Sequence, residues 1–373
     1  MPDILIRSHR ALRKEGIAGG AERLMQNIGH ALAKRGWRVD ILCPRPGSEA
    51  THTDTPIDFI EFDYTDPTSS VERFLNMFRG TDRCRSALEA GMYDVVLDDV
   101  SHYPFYPMHF IKPKQTTNAL FMHMAFFGSA TEYVGPVKGR VVHAIDRTLP
   151  YLNDPEIVCA GEGTESRINT ELDYWDTTVL HPCIQIDEYE YEITPNSDSI
   201  LFLGRLDVQK NVSTLLKAWR LVERSENHPT LKIAGSGPKG SELRRLANNL
   251  GLDSVQFLGY VDEAKKIELL RDASLLVLPS KMEGYATTGL ESMASGTPVI
   301  GSDTYGINEY IEHGETGFLA PVDDHRAFAN LILDLTSDPE QIRPVAVSGR
   351  ELAEAHSFEE FADDAHDVFS SIQ

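Results

Sequence analysis

Short apolar runs of strand length alternate with amphipathic segments of helix length along most of this chain. One series begins at residues 3–7 and continues through 117–122 and 156–160, and a second series begins at 200–204. A polar stretch between them, residues 186–199, contains Pro195-Asn196-Ser197 and is typical of a linker. Such alternation is typical of α/β domains with parallel sheets. We therefore predict two doubly wound domains, whose ligands bind at the carboxyl ends of the strands.

Acidic residues strongly outnumber basic ones, with 57 aspartates and glutamates against 35 lysines and arginines and a formal net charge of −22. Direct binding of nucleic acid is therefore disfavoured, because its phosphates would be repelled. An acidic surface also suits solubility at high salt, where ions screen the self-repulsion. A halophilic source is our hypothesis, and an ordinary acidic cytosolic enzyme stays open as the alternative.

Several features of the sequence predict a cytoplasmic protein. The N-terminal residues enter a predicted strand directly and carry no signal-peptide pattern, and no apolar run is long enough to span a membrane. Residues 71–88 combine four arginines with apolar side chains, so peripheral attachment to the inner face of the membrane stays open beside a simple packed helix. We expect buried free thiols at the four scattered cysteines, Cys43, Cys84, Cys159 and Cys183.

Two glutamates eight positions apart, Glu283 and Glu291, follow an apolar run with the length of a buried strand. A helix that begins between them would present backbone N–H groups without acceptors, which suit a phosphate. Glu291 would then lie about two turns into that helix, facing the same crevice as Glu283. The turn between the glutamates consists of Gly284, Tyr285, Ala286, Thr287 and Thr288.

Two cations, Arg205 and Lys210, lie five positions apart between the first strand and the first helix of the second series. In that loop they can neutralise a diphosphate and the charge that develops as it leaves. A solvated surface arginine is the alternative interpretation of Arg205.

Two glycine-rich loops also lie between a predicted strand and a predicted helix. Gly19 and Gly20 lack Cβ atoms, so their amides can approach a phosphate or an acceptor, although a plain turn is the alternative. Gly235, Gly237 and Gly240 formally match a dinucleotide-binding loop. We reject NAD there, because the following strand has no acidic residue and Pro238 removes an amide.

Together these motifs resemble retaining glycosyltransferase family 4, the GT-B enzymes that move a sugar from a nucleotide diphosphate to an acceptor. The similarity covers about residues 3–370 and is strongest in the second half. It is carried by the two glutamates and by matching motifs at residues 201–211, 19–23, 179–182 and 314–319.

The resemblance implies a domain organisation. It assigns residues 1–183 to an acceptor-binding Rossmann-like domain, 184–199 to a linker and 200–355 to a nucleotide-sugar-binding Rossmann-like domain. Residues 356–373 are implied to form a helix that packs back on the first domain.

The resemblance also implies site roles, with Arg205, Lys210, Glu283 and His123 as catalytic residues. Glu283 would bind hydroxyls of the donor sugar and His123 would lie near that sugar and its phosphate, although a histidine satisfied in the core is the alternative. Glu291 would bind the ribose hydroxyls. The other implied nucleotide-sugar contacts are Gly19, Gly20, Gly235, Gly237, Gly284, Tyr285, Ala286, Thr287 and Thr288. The residues after Gly284 depart from the family pattern, which puts details of the donor in doubt.

The implied reaction is transfer of a sugar, with retention, to a hydroxyl of a glycan, a lipid-linked acceptor or a small molecule. The sequence has no Asp-x-Asp triplet of the kind that holds a divalent cation in other glycosyltransferases, so we expect neither a metal nor a cofactor. A nucleotide-sugar epimerase and a non-catalytic sugar-nucleotide sensor stay open as alternatives.

Overall fold

The structure is a computed structural model of the whole chain. It describes residues 1–8, 20–44, 57–63, 80–100, 111, 115–127, 130–131, 135–148, 155–174 and 176–373. The chain divides into two compact units. Unit 1 comprises residues 1–183 and 358–373, and unit 2 comprises residues 184–357.

Unit 1 is built on a parallel sheet that has seven strands among the described residues, in the order β3-β2-β1-β4-β5-β6-β7. The strands are β1 (Asp3–Arg7), β2 (Arg38–Pro44), β3 (Ile57–Phe62), β4 (Val95–Val100), β5 (Thr117–Met122), β6 (Glu156–Cys159) and β7 (Thr177–Val179). Among the described residues, the helices that precede unit 2 are α1 (Gly20–Lys34), α2 (Thr81–Ala90), α3 (Pro136–Asp146) and α4 (Glu162–Leu172). The central strands are buried along their length, as expected where helices cover both faces of a sheet.

Unit 2 has a six-stranded parallel sheet in the order β10-β9-β8-β11-β12-β13. The strands are β8 (Ser199–Leu203), β9 (Thr230–Ala234), β10 (Val255–Gly259), β11 (Leu275–Leu278), β12 (Val299–Ser302) and β13 (Phe318–Ala320). The helices are α5 (Val212–Val222), α6 (Gly240–Leu250), α7 (Glu263–Asp272), α8 (Thr287–Ala294), α9 (His325–Ser337) and α10 (Ile342–Ala355). Short 3-10 turns lie at Ile186–Glu188 and Pro339–Gln341.

In both sheets the strand order reverses between two neighbouring strands that are far apart in sequence. In unit 2 the chain runs outward from β8 to β10 and then returns to place β11 against the other side of β8. In unit 1 the corresponding neighbours are β1 and β4. The loops that follow such strands diverge and leave a crevice at the carboxyl edge, where ligands of doubly wound sheets bind. The two predicted parallel sheets are therefore confirmed.

The predicted linker, residues 184–199, belongs to unit 2 and is bonded to it. The Thr194 hydroxyl donates to the carbonyl oxygens of Arg271 and Ala273 at 3.1 and 3.0 Å, and the Ser197 hydroxyl donates to that of Asp272 at 2.6 Å. These side-chain bonds hold the polar stretch against the turn that connects α7 to β11.

The C-terminal helix, α11 (Phe358–Ser371), is part of unit 1, where it packs on α1. Arg35 Nε donates to Asp363 Oδ1 at 2.7 Å, and Trp37 Nε1 donates to His366 Nδ1 at 3.0 Å. Phe361 and Phe369 are buried in the same packing. The chain thus returns to its first unit for its last helix, as the resemblance implied.

Candidate functional site

A lysine–glutamate pair joins the loops that follow β8 and β11 in unit 2. Lys210 Nζ lies 2.6 Å from Glu283 Oε1, and the Glu283 side chain is only 7% exposed. The Lys210 amide donates to Asp207 Oδ1 at 3.0 Å, which fixes the end of the β8 loop. The strand order reverses between the neighbours β8 and β11, so this pair lies at the carboxyl edge where a ligand is expected.

Bonds to the backbone tie the same two loops together. The Lys281 amide donates to the Gln209 carbonyl at 2.8 Å, and Gln209 Nε2 donates to the Met282 carbonyl at 2.9 Å. Asn211, in a left-handed conformation just before α5, donates to the Pro279 carbonyl at 3.1 Å. The Lys210–Glu283 pair therefore rests on a braced pair of loops rather than on two independent segments.

Arg205 occupies the same loop but does not join the pair. Its side chain is 67% exposed, and Nε lies 3.6 Å from Asp207 Oδ2. A separation that long in an exposed group contributes little stability. Arg205 thus presents its charge to solvent from the same loop as Lys210, and its binding of an anionic ligand stays a prediction.

The two predicted loop glycines of unit 2 serve a close approach between backbones. A Cβ atom at Gly235 would lie 1.8 Å from the Gly204 oxygen, and one at Gly237 would lie 2.4 Å from the Leu206 oxygen. The Leu206 amide donates to the Ser236 carbonyl at 2.9 Å, so the loops after β8 and β9 are bonded to each other. The Gly235 amide already donates to the Gly259 carbonyl at 2.6 Å. Nucleotide contact by these glycines stays a prediction.

The predicted phosphate-binding turn leads directly into α8. The Ala286 amide donates to the Gly306 carbonyl at 2.8 Å, and the Thr287 amide donates to the Tyr285 carbonyl at 3.0 Å. A phosphate role for these two amides would require them to exchange acceptors, and nucleotide-sugar contact by the turn stays a prediction. The Tyr285 hydroxyl lies 2.7 Å from His356 Nε2, which turns that side chain toward the end of α10.

Glu291 lies in the second turn of α8, as predicted, but it is paired with a lysine that the sequence analysis did not single out. Lys266 Nζ of α7 lies 2.9 Å from Glu291 Oε1, and both side chains are about nine-tenths buried. Lys266 Nζ also lies 2.5 Å from Glu263 Oε1 and donates to the Tyr189 hydroxyl at 3.2 Å. Lys266 falls on the apolar stripe of α7. A charged residue within an apolar stripe is the sequence feature that could have identified it.

In unit 1, His123 follows β5 and contacts a buried acid at the end of β4. His123 Nε2 lies 2.8 Å from Asp99 Oδ1, and the Asp99 side chain is fully buried. The Ser8 hydroxyl donates to the other carboxylate oxygen at 3.3 Å. Beside them, Arg7 and Asp98 form a buried ion pair at the ends of β1 and β4. Sequence patterns did not predict a site role for Arg7, Asp98 and Asp99, because each lies within or next to an apolar run that predicts a buried strand.

Other predicted features of unit 1 are only partly described. Gly20 is the first residue of α1, whereas Gly19 lies outside the described residues. Residues 71–79 of the predicted basic segment also lie outside them, and Arg83 and Arg85 are exposed on α2. The four cysteines, all within the described residues, are buried and form no disulfide bond, as expected. In the parts of the chain that are described, every helix is too short or too polar to cross a membrane.

Two family models match consecutive parts of the chain. The model described as "Glycosyltransferase Family 4" matches residues 18–188, and the model described as "Glycosyl transferases group 1" matches residues 185–351. Glycogen synthase of Mycobacterium tuberculosis is 28% identical over 225 residues, which are 58% of this chain and 54% of that protein. The match therefore spans about half the length of this curated relative.

Solved structures resemble the chain over its whole length. Sucrose-phosphate synthase from Thermosynechococcus elongatus superposes with a TM-score of 0.84 at 20% identity, covering 100% of this chain and 99% of that one. The Anabaena protein HepE, in complex with UDP and glucose, superposes with a TM-score of 0.78 at 18% identity, covering both chains completely. At identities this low, the superpositions show the fold alone, and they confirm the predicted pair of Rossmann-like domains.

Proposed function

Because this chain belongs to glycosyltransferase family 4, we propose that it transfers a sugar from a nucleoside diphosphate sugar to a hydroxyl acceptor with retention of configuration. The Lys210–Glu283 pair is the observation that carries the proposal. A desolvated carboxylate and an ammonium at the carboxyl edge of β8 and β11 supply one group for sugar hydroxyls and one for a phosphate. The HepE structure, which contains UDP and glucose, supports a donor of this class.

Each site residue of unit 2 has a separate task in this proposal. Arg205 and Lys210 neutralise the diphosphate as the bond between the anomeric carbon and the phosphate oxygen breaks. Glu283 accepts hydrogen bonds from hydroxyls of the donor sugar, and Glu291 accepts them from the ribose. The charges of the two cations are present before the reaction begins, so little reorganisation is needed as charge develops on the leaving phosphate.

Unit 1 supplies the acceptor side of the proposal. We propose that His123, held by Asp99, binds a sugar or phosphate group of a substrate. The acceptor oxygen forms the new bond to the anomeric carbon, and its proton passes to the departing phosphate. Alignment of the two substrates, rather than a strong protein base, then provides much of the rate. We propose a glycan, a lipid-linked acceptor or a small molecule as the acceptor, and we propose that no metal is required.

The first experiment is a thermal-shift panel of UDP, GDP, ADP and their glucose, galactose, mannose and N-acetylglucosamine forms. The diphosphate that binds most tightly should raise the melting temperature most. Its sugar form then serves in turnover assays that detect the released diphosphate, with and without EDTA. We expect the same rate in both, and we expect the anomeric configuration of the product, read by NMR, to match that of the donor.

The site assignment is tested by two variants and a control. Lys210→Met and Glu283→Gln should each lower kcat by about 100-fold or more, the range for removal of one group that stabilises developing charge. Lys217→Met, which changes an exposed lysine of α5, should leave kcat unchanged. Full activity of Lys210→Met, or failure of every diphosphate to bind, would refute the proposal.

A further inference from the structure

Lys266 occupies a position of α7 that an apolar residue would be expected to fill. It lies three and four residues before Leu269 and Leu270, and these three are the buried residues of the helix. A lysine loses favourable hydration in such a stripe, so its retention requires compensation by neighbouring groups. That compensation comes from three side chains.

The three partners of Lys266 Nζ come from different segments of unit 2. Glu263, one turn earlier on α7, lies 2.5 Å away, and Glu291 on α8 lies 2.9 Å away. The Tyr189 hydroxyl accepts at 3.2 Å, and the ammonium also lies 5.6 Å from the centre of the Tyr189 ring. The ammonium donates hydrogen bonds to Glu291 and Tyr189, and its contact with Glu263 is a close ion pair. Lys266 is therefore held in one position, and it holds Glu291 from one side.

A buried pair of this kind is a weak source of stability. Replacement of both charges by well-packed apolar residues is often neutral or stabilising, so stability alone does not account for two desolvated charges here. Glu291 is the carboxylate to which the proposed function assigns the ribose. A carboxylate binds a diol well only if it is charged and fixed in orientation before the ligand arrives, because ordering it afterwards weakens binding.

We propose that Lys266 is a positioning residue for nucleotide recognition, which orients the Glu291 carboxylate toward the ribose hydroxyls. The inference rests on the proposed function, because it takes Glu291 as the ribose ligand. Lys266 acts through Glu291 and takes no part in bond breaking. Its loss should therefore weaken donor binding through the ribose while the rate at saturating donor is preserved.

The test measures how strongly each variant discriminates between ribose and deoxyribose. Isothermal titration gives the affinity of wild type and Lys266→Met for UDP, GDP and ADP and for the 2′-deoxy and 3′-deoxy forms of whichever binds most tightly. Loss of a hydroxyl that bonds to a charged group should weaken wild-type binding by about tenfold or more. In Lys266→Met we expect ribonucleotide binding to weaken by about tenfold and the discrimination to fall to about twofold, because the acceptor is no longer oriented.

Matched variants separate positioning from folding. Lys266→Arg keeps the charge and should recover part of the discrimination. Tyr189→Phe removes one bond to Lys266 without a change of charge, so it should fold even if Lys266→Met does not, with a smaller loss in the same direction. Lys265→Met is the control, since Lys265 is exposed on the same helix and pairs with Glu268.

The outcomes distinguish the two hypotheses. Unchanged discrimination in Lys266→Met, or in Tyr189→Phe and Lys266→Arg if Lys266→Met does not fold, would overturn the positioning role while nucleotide binding stands. A loss of kcat at saturating donor equal to the loss of affinity would overturn it as well, because Lys266 would then act on the reaction itself. Failure of wild type to bind any diphosphate would overturn the proposed function and this inference together.

Discussion

Replacement of Gly235 by alanine tests whether the close contact between the loops after β8 and β9 shapes the proposed site. Gly235 has a φ of +139°, and a Cβ atom there would lie 1.8 Å from the Gly204 oxygen. That separation must increase by about 1.2 Å to reach 3.0 Å, below which real Cβ contacts essentially never occur. The obstacle is backbone, so a rotamer change cannot relieve it. The loop that carries Arg205 and Lys210 must move instead.

The expected cost of Gly235→Ala has two parts. An alanine in a region of φ that favours glycine costs about 1–3 kcal/mol. Forcing two packed segments apart costs about 1–3 kcal/mol more, and together these are a large fraction of the ordinary stability of a domain. Gly251→Ala is the matched control, because Gly251 also has a positive φ, +69°, but has nothing within 4 Å of its Cβ position. We expect it to cost about 1 kcal/mol.

The assay is urea unfolding of unit 2 followed by tryptophan fluorescence. The chain has three tryptophans, so replacement of Trp37 and Trp175 by phenylalanine leaves Trp219 alone. Trp219 is fully buried in unit 2 and reports on its unfolding. The affinity for the preferred diphosphate is measured on the same proteins below the unfolding transition. Gly235→Ala should lose both stability and affinity, and Gly251→Ala should lose a little stability only.

The reasoning would be wrong if Gly235→Ala and Gly251→Ala lost the same free energy of unfolding. Equal losses would mean that backbone strain alone accounts for both and that the loops can separate without cost. A large loss of stability with unchanged affinity would instead show that this contact between loops supports the fold but does not position Arg205 and Lys210.

Two other predictions concern buried groups. Burial raises the pKa of Asp146 to about 7 from an ordinary 3.8, so the folded state holds its proton longer than the unfolded state and unit 1 should lose stability as pH rises from about 4 to 7. Asp146→Asn should flatten this dependence in unfolding curves at several pH values, whereas Asp82→Asn on the exposed side of α2 should leave it intact. A Cβ at Gly289 would lie 2.2 Å from the Tyr310 hydroxyl oxygen, so Gly289→Ala should destabilise unit 2 strongly. It should cost markedly less in a Tyr310→Phe background, and equal costs in a double-mutant cycle would contradict the contact.

The strand and helix pattern was readable in the sequence wherever an element is buried on both sides. The central strand β5 has the bounds that the apolar run 117–122 predicted, and β6 is one residue shorter than its prediction. The strand β3 was missed, because its sequence, IDFIEF, interrupts the apolar residues with Asp58 and Glu61. It lies at the edge of the sheet, where one side needs no partner strand and charged residues are tolerated.

The sequence predicted candidate site residues of unit 2, but not which side chains contact each other. The sequence placed Lys210 and Glu283 in loops after strands, yet 73 positions separate them and nothing local indicates their contact. Their pairing follows from the strand order, in which β11 returns to lie beside β8. The same holds for Lys266 and Glu291, whose pairing depends on how α7 packs beside α8. Strand order and helix packing are tertiary facts, which periodicity does not encode.

The two lysine–glutamate pairs suggest different consequences of ligand binding. A diphosphate would compete with Glu283 for the Lys210 ammonium, because both are anions and the ammonium has few protons to share. Glu283 would then be released to accept hydroxyls of the sugar, so phosphate binding and sugar binding would be coupled through one cation. Glu283→Gln should therefore bind the free diphosphate at least as tightly as wild type while it transfers sugar more slowly. Lys266 has three protein partners and lies deeper, so its pair with Glu291 should persist when the nucleotide binds.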